Sequence, residues 1–496
     1  MSNENLPLMA AVDSEEESEE RPLKIDQNPN PLPWNQLSLA LAIPFSKSLA
    51  IQSFRPFINQ LVSELDIIKG DKRKVGYYVG LLDSLAAATQ TISVLPLNRL
   101  SDRIGRKPVL LVGLFVMLTS VLWVSLARTF WSIAASQFFQ GLLDGSVSKN
   151  VVGELTDFTN RSRAFSFFLV FTTAGGALGL SIGGELVKPH ERFPSVFGGE
   201  FWKQYPYFLP CLVVAIILAT AFILILLFLK ETAPRGLFRS QLQQEDEPPH
   251  GQSYSPPLRE LAVYPVIVVV ANYTSLSFLI KCESALLPLF FAMPIDIGGL
   301  GFKPAQIGYI LGAYSILATF ILAFFFGPII RFVGERRFFV LCISSHLLMW
   351  ATLPIVHQFA RHFGIGINVW VGIAVMSLPA VCGEMGFSCI YAYIVGAAPN
   401  KYSVGSTIAV NYVSSSIFGV VAPTMATSLF SFSIQHNVLG GVSALVCLAF
   451  ASLDPRSRKE SAFANLDEAI PHWKTCGGEM RHFTEIGILD KANGIQ

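Results

Sequence analysis

The sequence predicts an all-α membrane protein with about twelve transmembrane helices in two six-helix bundles. Three observations predict it: an apolar composition, long uncharged blocks, and one polar stretch near the middle of the chain. Of the 496 residues, 52% are hydrophobic and 14% are charged. Soluble domains carry roughly 25% charged residues. A mean hydropathy of +0.49 therefore favours a bilayer over water.

The uncharged blocks have the length that a bilayer requires. Tyr207–Leu229 contains no charged residue. A hydrocarbon core about 30 Å thick needs about 20 helical residues, and a soluble helix of this length would show a polar face. The same criterion predicts twelve spans: Gln36–Val62, Val75–Pro96, Pro108–Ala127, Phe130–Val152, Phe165–Val187, Tyr207–Leu229, Leu261–Phe291, Ala305–Ile330, Phe338–Val356, Ile367–Ala397, Ser403–Phe430 and Asn437–Leu453.

Polar segments divide the chain into five regions. The stretch Lys230–Glu260, rich in Pro, Ser and Gln, is typical of a linker rather than a folded domain. The acidic N-terminus predicts a disordered tail. We therefore expect a cytosolic tail at 1–34, a six-helix bundle at 35–229, a cytoplasmic linker at 230–260, a second bundle at 261–455 and a cytosolic tail at 456–496.

The basic residues of the loops predict the orientation. With both termini in the cytoplasm, five basic loops lie on the cytoplasmic side, and only the loop with Lys69 and Lys72–Lys74 disagrees. The plasma membrane and the vacuolar membrane both fit. The loops that agree carry Arg99–Lys107, Arg161 and Arg163, Lys230–Arg259, Arg331–Arg337, and Lys401.

The composition also argues against several function classes. A net charge of +1 gives no basis for nucleic-acid binding. The seven cysteines form no CxxC pair or Cys/His cluster, so we expect no metal site, disulfide framework or cofactor. Neither a Ser/His/Asp set, an HExxH motif nor a nucleotide loop is present, so we do not expect an enzyme. His346 and His357 are interpreted as packing residues.

The segment Asn98–Lys107 places a dense charge cluster between spans two and three. Gly105 permits a positive φ, Asp102 can cap a helix, and the arginines can pair with acids on neighbouring helix ends. Ordinary positive-inside anchoring is the alternative. The order N-R-L-S-D-R-I-G-R-K resembles the signature loop of the major facilitator superfamily, with Asp102, Arg103, Gly105, Arg106 and Lys107 matching and Asn98 replacing a glycine. A weaker echo, RFVGERR, lies at Arg331–Arg337.

Span five carries a second resemblance, to a motif of the antiporter-type members of that superfamily. The matching residues are Ser166, Gly175, Gly179, Gly183 and Gly184, whereas Leu180 stands in place of a proline. Small residues on one face also let two helices pack closely, which is the alternative. Stretches such as RPFINQLV and YPYFLPCL are similar to the zinc-induced facilitator-like branch and its fungal relatives. The resemblance implies the major facilitator fold, but a zinc substrate is not transferred.

Charged residues inside spans are costly and usually face a cavity or the bundle interior. Here they lie in spans one, four, seven and ten, the helices that line the central cavity in the major facilitator fold. Asp83 in span two is the exception. The charged residues of spans one, four and seven also have simpler interpretations: snorkelling for Lys47 and Arg55, a structural ion pair for Asp144, and mutual pairing for Lys281 and Glu283. Spans ten and eleven offer Glu384 no cation, so a role in proton coupling or in substrate binding is expected for it.

Two sets of functional residues follow. The predicted substrate or proton cavity comprises Lys47, Gln52, Arg55, Gln140, Asp144, Lys281, Glu283, Glu384 and Asn411. The predicted gating set comprises Asp102, Arg103, Gly105, Arg106, Lys107, Gly175, Gly179, Gly183 and Gly184.

The sequence as a whole predicts a secondary active transporter that moves a small solute by alternating access, with proton-coupled antiport as one form of coupling. Its partners would be the lipid bilayer, the solute and protons, and a monomer is expected. Gln137 stands where many drug/proton members carry an arginine, which argues against proton coupling. A gradient-independent facilitator, or a transport-inactive receptor or scaffold on the same fold, are the alternatives.

Overall fold

A computed structural model describes residues 31–142, 147–156, 160–232, 263–396 and 404–436. The described chain is helical and contains no strand. Nine of its helices are long and apolar enough to cross a membrane, and a tenth is added if the bent pair Lys72–Val94 and Pro96–Ile104 is one span. Predicted span twelve, Asp144, most of the linker and almost all of both tails lie outside the described residues.

The helices correspond to the first eleven predicted spans, and we keep those numbers. Their bounds are Trp34–Ser53 and Ile58–Ser63 for span one, Val75–Ile104 for two, Arg106–Leu126 for three, Phe130–Leu142 and Val147–Glu154 for four, Arg161–Glu185 for five, Phe208–Phe228 for six, Tyr264–Ala292 for seven, Pro304–Val333 for eight, Glu335–Phe363 for nine, Ile367–Gly396 for ten and Val404–Gln435 for eleven. Short helices at Pro189–Arg192, Pro194–Phe197 and Glu200–Gln204 join spans five and six. Three short 3₁₀ turns lie at Asp66–Ile68, Lys72–Lys74 and Ile295–Ile297.

Span one differs from its prediction as one continuous helix. It breaks at residues 54–57, and Arg55 lies in the break. Pro56 has no N–H with which to continue the helical ladder, and the Arg55 N–H instead bonds the Gln52 carbonyl in a tighter turn at 3.3 Å. Arg55 therefore does not lie on a continuous face of span one.

Span two is longer than predicted because it continues through the charged segment to Ile104. It bends by 46° near Pro96. Only Gly105 separates it from span three, so most of the segment predicted as a turn is the last part of a helix.

Two seams join the first half, spans one to six, to the second. Span two packs along span eleven, and span five packs along span eight. At the first seam, Thr424 Oγ1 donates to the Gly80 carbonyl at 2.9 Å. At the second, glycines allow close approach, because a Cβ on Gly308 would lie 3.1 Å from the Gly184 Cα atom. Both contacts lie at the end of the molecule where span two begins and span five ends.

Candidate functional site

Four charged side chains from four helices converge between the halves. Arg55 interacts electrostatically with the carboxylates of Asp83 and Glu384, and Lys281 interacts with Arg55 and Asp83. Arg55 Nη1 also donates to the Ser284 carbonyl at 3.2 Å, which links span one to span seven. We call Arg55, Asp83, Lys281 and Glu384 the central cluster.

The central cluster is open rather than sealed. Asp83, Lys281 and Glu384 are exposed, and Arg55 is half-buried, although each lies within a membrane span. Their charges act on one another across spans one, two, seven and ten. The exposed surfaces therefore face a shared space inside the helix assembly. A space with two cations and two carboxylates can bind both ends of a molecule that carries both charges.

Two sequence-based interpretations are corrected here. Asp83 was the exception to the cavity pattern, yet it interacts with Arg55 and Lys281. Glu384 was interpreted as unpaired because spans ten and eleven offer it no cation, yet Arg55 of span one acts on it. The break at Pro56 positions Arg55, and no pattern within spans ten and eleven could have revealed a cation supplied by span one.

Lys281 and Glu283 do not satisfy each other, because they point to different neighbours. Lys281 joins the central cluster, whereas Glu283 is buried at 3% exposure. The Tyr314 hydroxyl donates to Glu283 Oε1 at 3.4 Å, and Glu283 Oε2 lies 3.6 Å from His346 Nε2. Two residues apart on a helix, side chains project to different faces. His346 therefore belongs to the site and is not only a packing residue.

Three predicted amides retain unused hydrogen-bonding capacity. The atoms Gln52 Oε1, Gln140 Nε2 and Asn411 Oδ1 are buried and have no hydrogen-bond partner among the described residues. A buried polar group without a partner costs about 1–3 kcal/mol. Spans one, four and eleven thus supply groups that a polar ligand could satisfy.

Lys47 lies apart from the central cluster. It lines a small cavity of about 40 Å³ within the first half, together with Val109 of span three and Ser148 of span four. Lys149 is the cation that acts on it. Arg55, Lys281 and Glu384 thus share one space, and Lys47 lines this small cavity.

Comparison with known proteins identifies the architecture. The sequence profile of the Major Facilitator Superfamily matches residues 44–298, a little over half of the chain. The chain belongs to the Major Facilitator Superfamily. It is therefore a multi-pass membrane protein of a family of solute transporters, which confirms the fold class predicted from sequence.

Relatives within the superfamily match almost the whole chain. The major facilitator-type transporter psiT2 of Psilocybe cubensis is 27% identical, over 90% of this chain and 92% of its own. ZINC INDUCED FACILITATOR-LIKE 1 of Arabidopsis thaliana is 23% identical, over 82% of this chain and 86% of its own. The predicted resemblance to that branch and its fungal relatives is thus confirmed. The crystal structure of a bacterial homologue of the lysosomal transporter Spinster, inward-facing and unoccupied, aligns with a TM-score of 0.58 at 13% identity, over 92% of this chain and 99% of its own.

The superfamily signature loop is held by an acid from outside it. Gly105 has φ +106°, as predicted, and joins spans two and three. Glu231, just after span six, accepts from the backbone N–H groups of Arg106 at 2.7 Å and Lys107 at 3.2 Å. Glu231 therefore provides the cap at the start of span three that was predicted for Asp102.

Arg106 is the centre of the side-chain contacts at this loop. It pairs with Asp102 at 2.6 Å and with Glu154 of span four at 2.9 Å. Thr232 donates to the other Glu154 oxygen at 2.8 Å. The contacts join the ends of spans two, four and six, all in the first half. Arg103 is exposed in the last turn of span two.

The glycines of span five pack on two different partners. A Cβ on Gly175, Gly179 or Gly183 would overlap a carbonyl of span one: that of Phe45, Leu49 or Ser53, respectively. A Cβ on Gly184 would instead lie 2.8 Å from the Pro304 carbonyl of span eight. Three glycines thus pack within the first half, and Gly184 packs across the seam. Leu180, in place of the motif's proline, leaves span five continuous, and the side chain of Ser166 lies outside the description.

Proposed function

We propose that this protein is a secondary transporter that moves a small zwitterionic organic solute by alternating access, coupled to protons. The central cluster carries this proposal. Arg55 and Lys281 can bind an anionic group, and Asp83 and Glu384 can bind a cationic group. The amides of Gln52, Gln140 and Asn411 would bind polar groups of the solute. No group of residues in the described chain has the spacing to hold a metal ion, which favours an organic solute over Zn²⁺.

Alternating access would use the two seams. The bundles at 35–229 and 261–455 would rock about the contacts of span two with eleven and of span five with eight. With both termini in the cytoplasm, the close contacts at Gly80, Gly184 and Gly308 lie on the outer side. This arrangement corresponds to a state that opens toward the cytoplasm. The signature loop would keep its end of the first half rigid during this motion.

Proton coupling would act through the carboxylates beside Arg55. An ionised Glu384 competes with the solute for the Arg55 guanidinium. Protonation removes that competition, so proton binding and solute binding influence each other in both directions. Either the plasma membrane or the vacuolar membrane supplies a suitable proton gradient, and a monomer contains the complete cluster.

The test is flux in proteoliposomes with a matched series of solutes. Phenylalanine, phenethylamine and 3-phenylpropionate share one ring and carry both charges, the positive charge only or the negative charge only. Zn²⁺ completes the set. We expect accumulation of the zwitterion that depends on a pH gradient and is lost in Glu384→Gln. The control Glu200→Gln changes an acid of a connecting helix that is 94% exposed.

Other outcomes favour the alternatives. Flux without a gradient, retained in Glu384→Gln, would make the protein a facilitator. Preference for a singly charged phenyl compound would contradict the zwitterion proposal but not transport. The absence of flux for all four solutes, with folded protein in the liposomes, would favour a receptor or scaffold.

A further inference from the structure

A buried carboxylate and a buried imidazole face each other behind the central cluster. Glu283 Oε2 of span seven and His346 Nε2 of span nine are 3.6 Å apart, and neither atom has a hydrogen-bond partner among the described residues. The His346 side chain is 0% exposed and that of Glu283 is 4% exposed. A buried pair of this kind must balance its charges and donors internally.

The hydrogen bonds of the imidazole determine where its proton lies. His346 Nδ1 is 3.1 Å from the Cys342 carbonyl oxygen, which can only accept. Nδ1 therefore carries hydrogen. In a neutral ring, Nε2 then carries a lone pair that faces a carboxylate oxygen, so two hydrogen-bond acceptors oppose each other. One proton, on either Oε2 or Nε2, turns this repulsive contact into a hydrogen bond.

We infer that Glu283 and His346 form a proton-binding site that holds one shared proton and exchanges it with the central cluster through Tyr314. This inference rests on the proposed proton coupling and names the residues that would carry it. The ring of His346 is held in place because span ten presents Gly383, where a Cβ would overlap the imidazole.

Tyr314 of span eight connects the buried pair to the open cluster. Its hydroxyl donates to Glu283 Oε1 at 3.4 Å and also interacts with the Glu384 carboxylate. One hydroxyl hydrogen can point to only one carboxylate at a time. When Glu384 is protonated, it donates its hydrogen to the Tyr314 oxygen while Tyr314 donates its own to Glu283. The Glu384 O–H bond breaks, an O–H bond forms at Glu283 Oε1, and Tyr314 gives up one hydrogen as it gains another. Rotation of the neutral Glu283 carboxyl group then turns this O–H toward His346 Nε2.

The charged and titratable groups around the pair lie on spans one, seven, eight, nine and ten. Tyr314 faces Glu283 from span eight, His346 from span nine and Glu384 from span ten. Arg55 of span one acts on Glu384. The thiols of Cys342 and Cys382 lie 4.0 Å from each other. Cys342 supplies the carbonyl next to His346 Nδ1, and Cys382 precedes Gly383, which packs against the imidazole. Lys281, on the same helix as Glu283, projects into the central cluster.

The first test needs no solute. Infrared difference spectra of the purified protein in lipid, recorded across pH, would follow the carboxylic acid C=O band of Glu283 and the ring bands of His346. We expect both to change in one common step. Glu283→Gln should remove the step, because the amide can donate to Nε2 without any added proton. His346→Gln should shift it.

His357→Gln is the matched control. His357 is also buried in span nine, and its Nδ1 lies 3.0 Å from the carbonyl of Gly299. This control should leave the step unchanged. Separate pH steps for the carboxyl and the ring, or a wild-type spectrum in which neither group changes across pH, would overturn the shared proton.

The second test separates this inference from the proposed function. In proteoliposomes, Glu283→Gln and Tyr314→Phe should lose gradient-driven accumulation and keep exchange of solute between the two sides. Full gradient-driven accumulation in Glu283→Gln would overturn the role in coupling and leave the transporter proposal intact. If the wild type transports nothing, the proposed function fails, and the infrared step alone decides whether the site binds a proton.

Discussion

The loop between spans two and three and the loop between spans eight and nine have the same backbone conformation. Among the described residues, only the first contacts a carboxylate at its glycine. Gly105 has φ +106° and ψ 157°, and Gly334 has φ +84° and ψ 141°. Each is the only residue between two helices. Each donates its N–H to a carbonyl of the preceding helix, Gly105 to Ser101 at 3.1 Å and Gly334 to Ile330 at 2.9 Å. The two halves thus repeat one turn, which only glycine adopts readily.

The difference is Glu231. A Cβ on Gly105 would lie 2.6 Å from Glu231 Oε2, whereas one on Gly334 would meet no described atom within 4 Å. The carboxylate lies at the positive end of span three and binds two of its free N–H groups. Among the described residues, no acid occupies the corresponding position at Gly334. Glu231 ties the segment after span six to the first loop.

The largest expected effect comes from adding a methyl group at the two glycines. Gly334→Ala should cost about 1–3 kcal/mol from backbone strain alone. Gly105→Ala should cost about 1–3 kcal/mol more, because it also displaces the Glu231 carboxylate. Thermal unfolding of the purified proteins in detergent measures both. In a Glu231→Ala background the extra cost of Gly105→Ala should disappear, and if it persists, the steric explanation is wrong.

Removal of the carboxylate is expected to come next in size. Glu231→Ala should destabilise the protein by about 2 kcal/mol, because two N–H groups lose a charged acceptor. Glu200→Gln, at an exposed position on a connecting helix, is the control and should stay within about 0.5 kcal/mol. The same unfolding measurement applies. Equal effects of the two changes would show that Glu231 does not anchor the loop.

A smaller effect is expected from the arginines that follow the two glycines. Arg106→Gln should cost about 1 kcal/mol, because it leaves Asp102 and Glu154 without their cation. Arg337 occupies an exposed position in the second loop, and Arg337→Gln should change stability by less than about 0.5 kcal/mol. Unfolding curves at low and high salt would test this, since only the Arg106 variant should lose salt sensitivity.

Asp102→Asn should have the smallest effect. The Asp102 side chain is 49% exposed, and its pair with Arg106 crosses the turn at Gly105. Exposed pairs of this kind contribute about 0.3–0.5 kcal/mol. A loss as large as that of Glu231→Ala would mean that Asp102, and not Glu231, caps span three. A double variant, Asp102→Asn with Glu231→Ala, would then show strong coupling.

Local sequence patterns predicted those features that depend on neighbouring residues. The turn at Gly105 and the close packing of Gly175, Gly179 and Gly183 follow from short motifs and helical spacing. The break at Pro56 does not follow from the same rules, because Pro44 of the same span lies inside a continuous helix.

Partners from distant spans could not be predicted in this way. Arg55 acts on Glu384, Glu283 faces His346, and Glu231 binds the N–H groups of span three. Nothing in the sequence near Asp83 or His346 indicates its neighbour. His346 was therefore interpreted as a packing residue, and Asp83 was left outside the predicted cavity.

The sequence by itself determined that this protein lies in a membrane, where its spans are and which glycines form turns. These features depend on hydrocarbon thickness and backbone sterics, which act within a few helical turns. Only the tertiary structure decided which charges meet. An ion pair or a shared proton depends on a distance of a few ångströms between atoms, and that distance is set by how the helices pack. The central cluster and the Glu283–His346 pair are products of that packing.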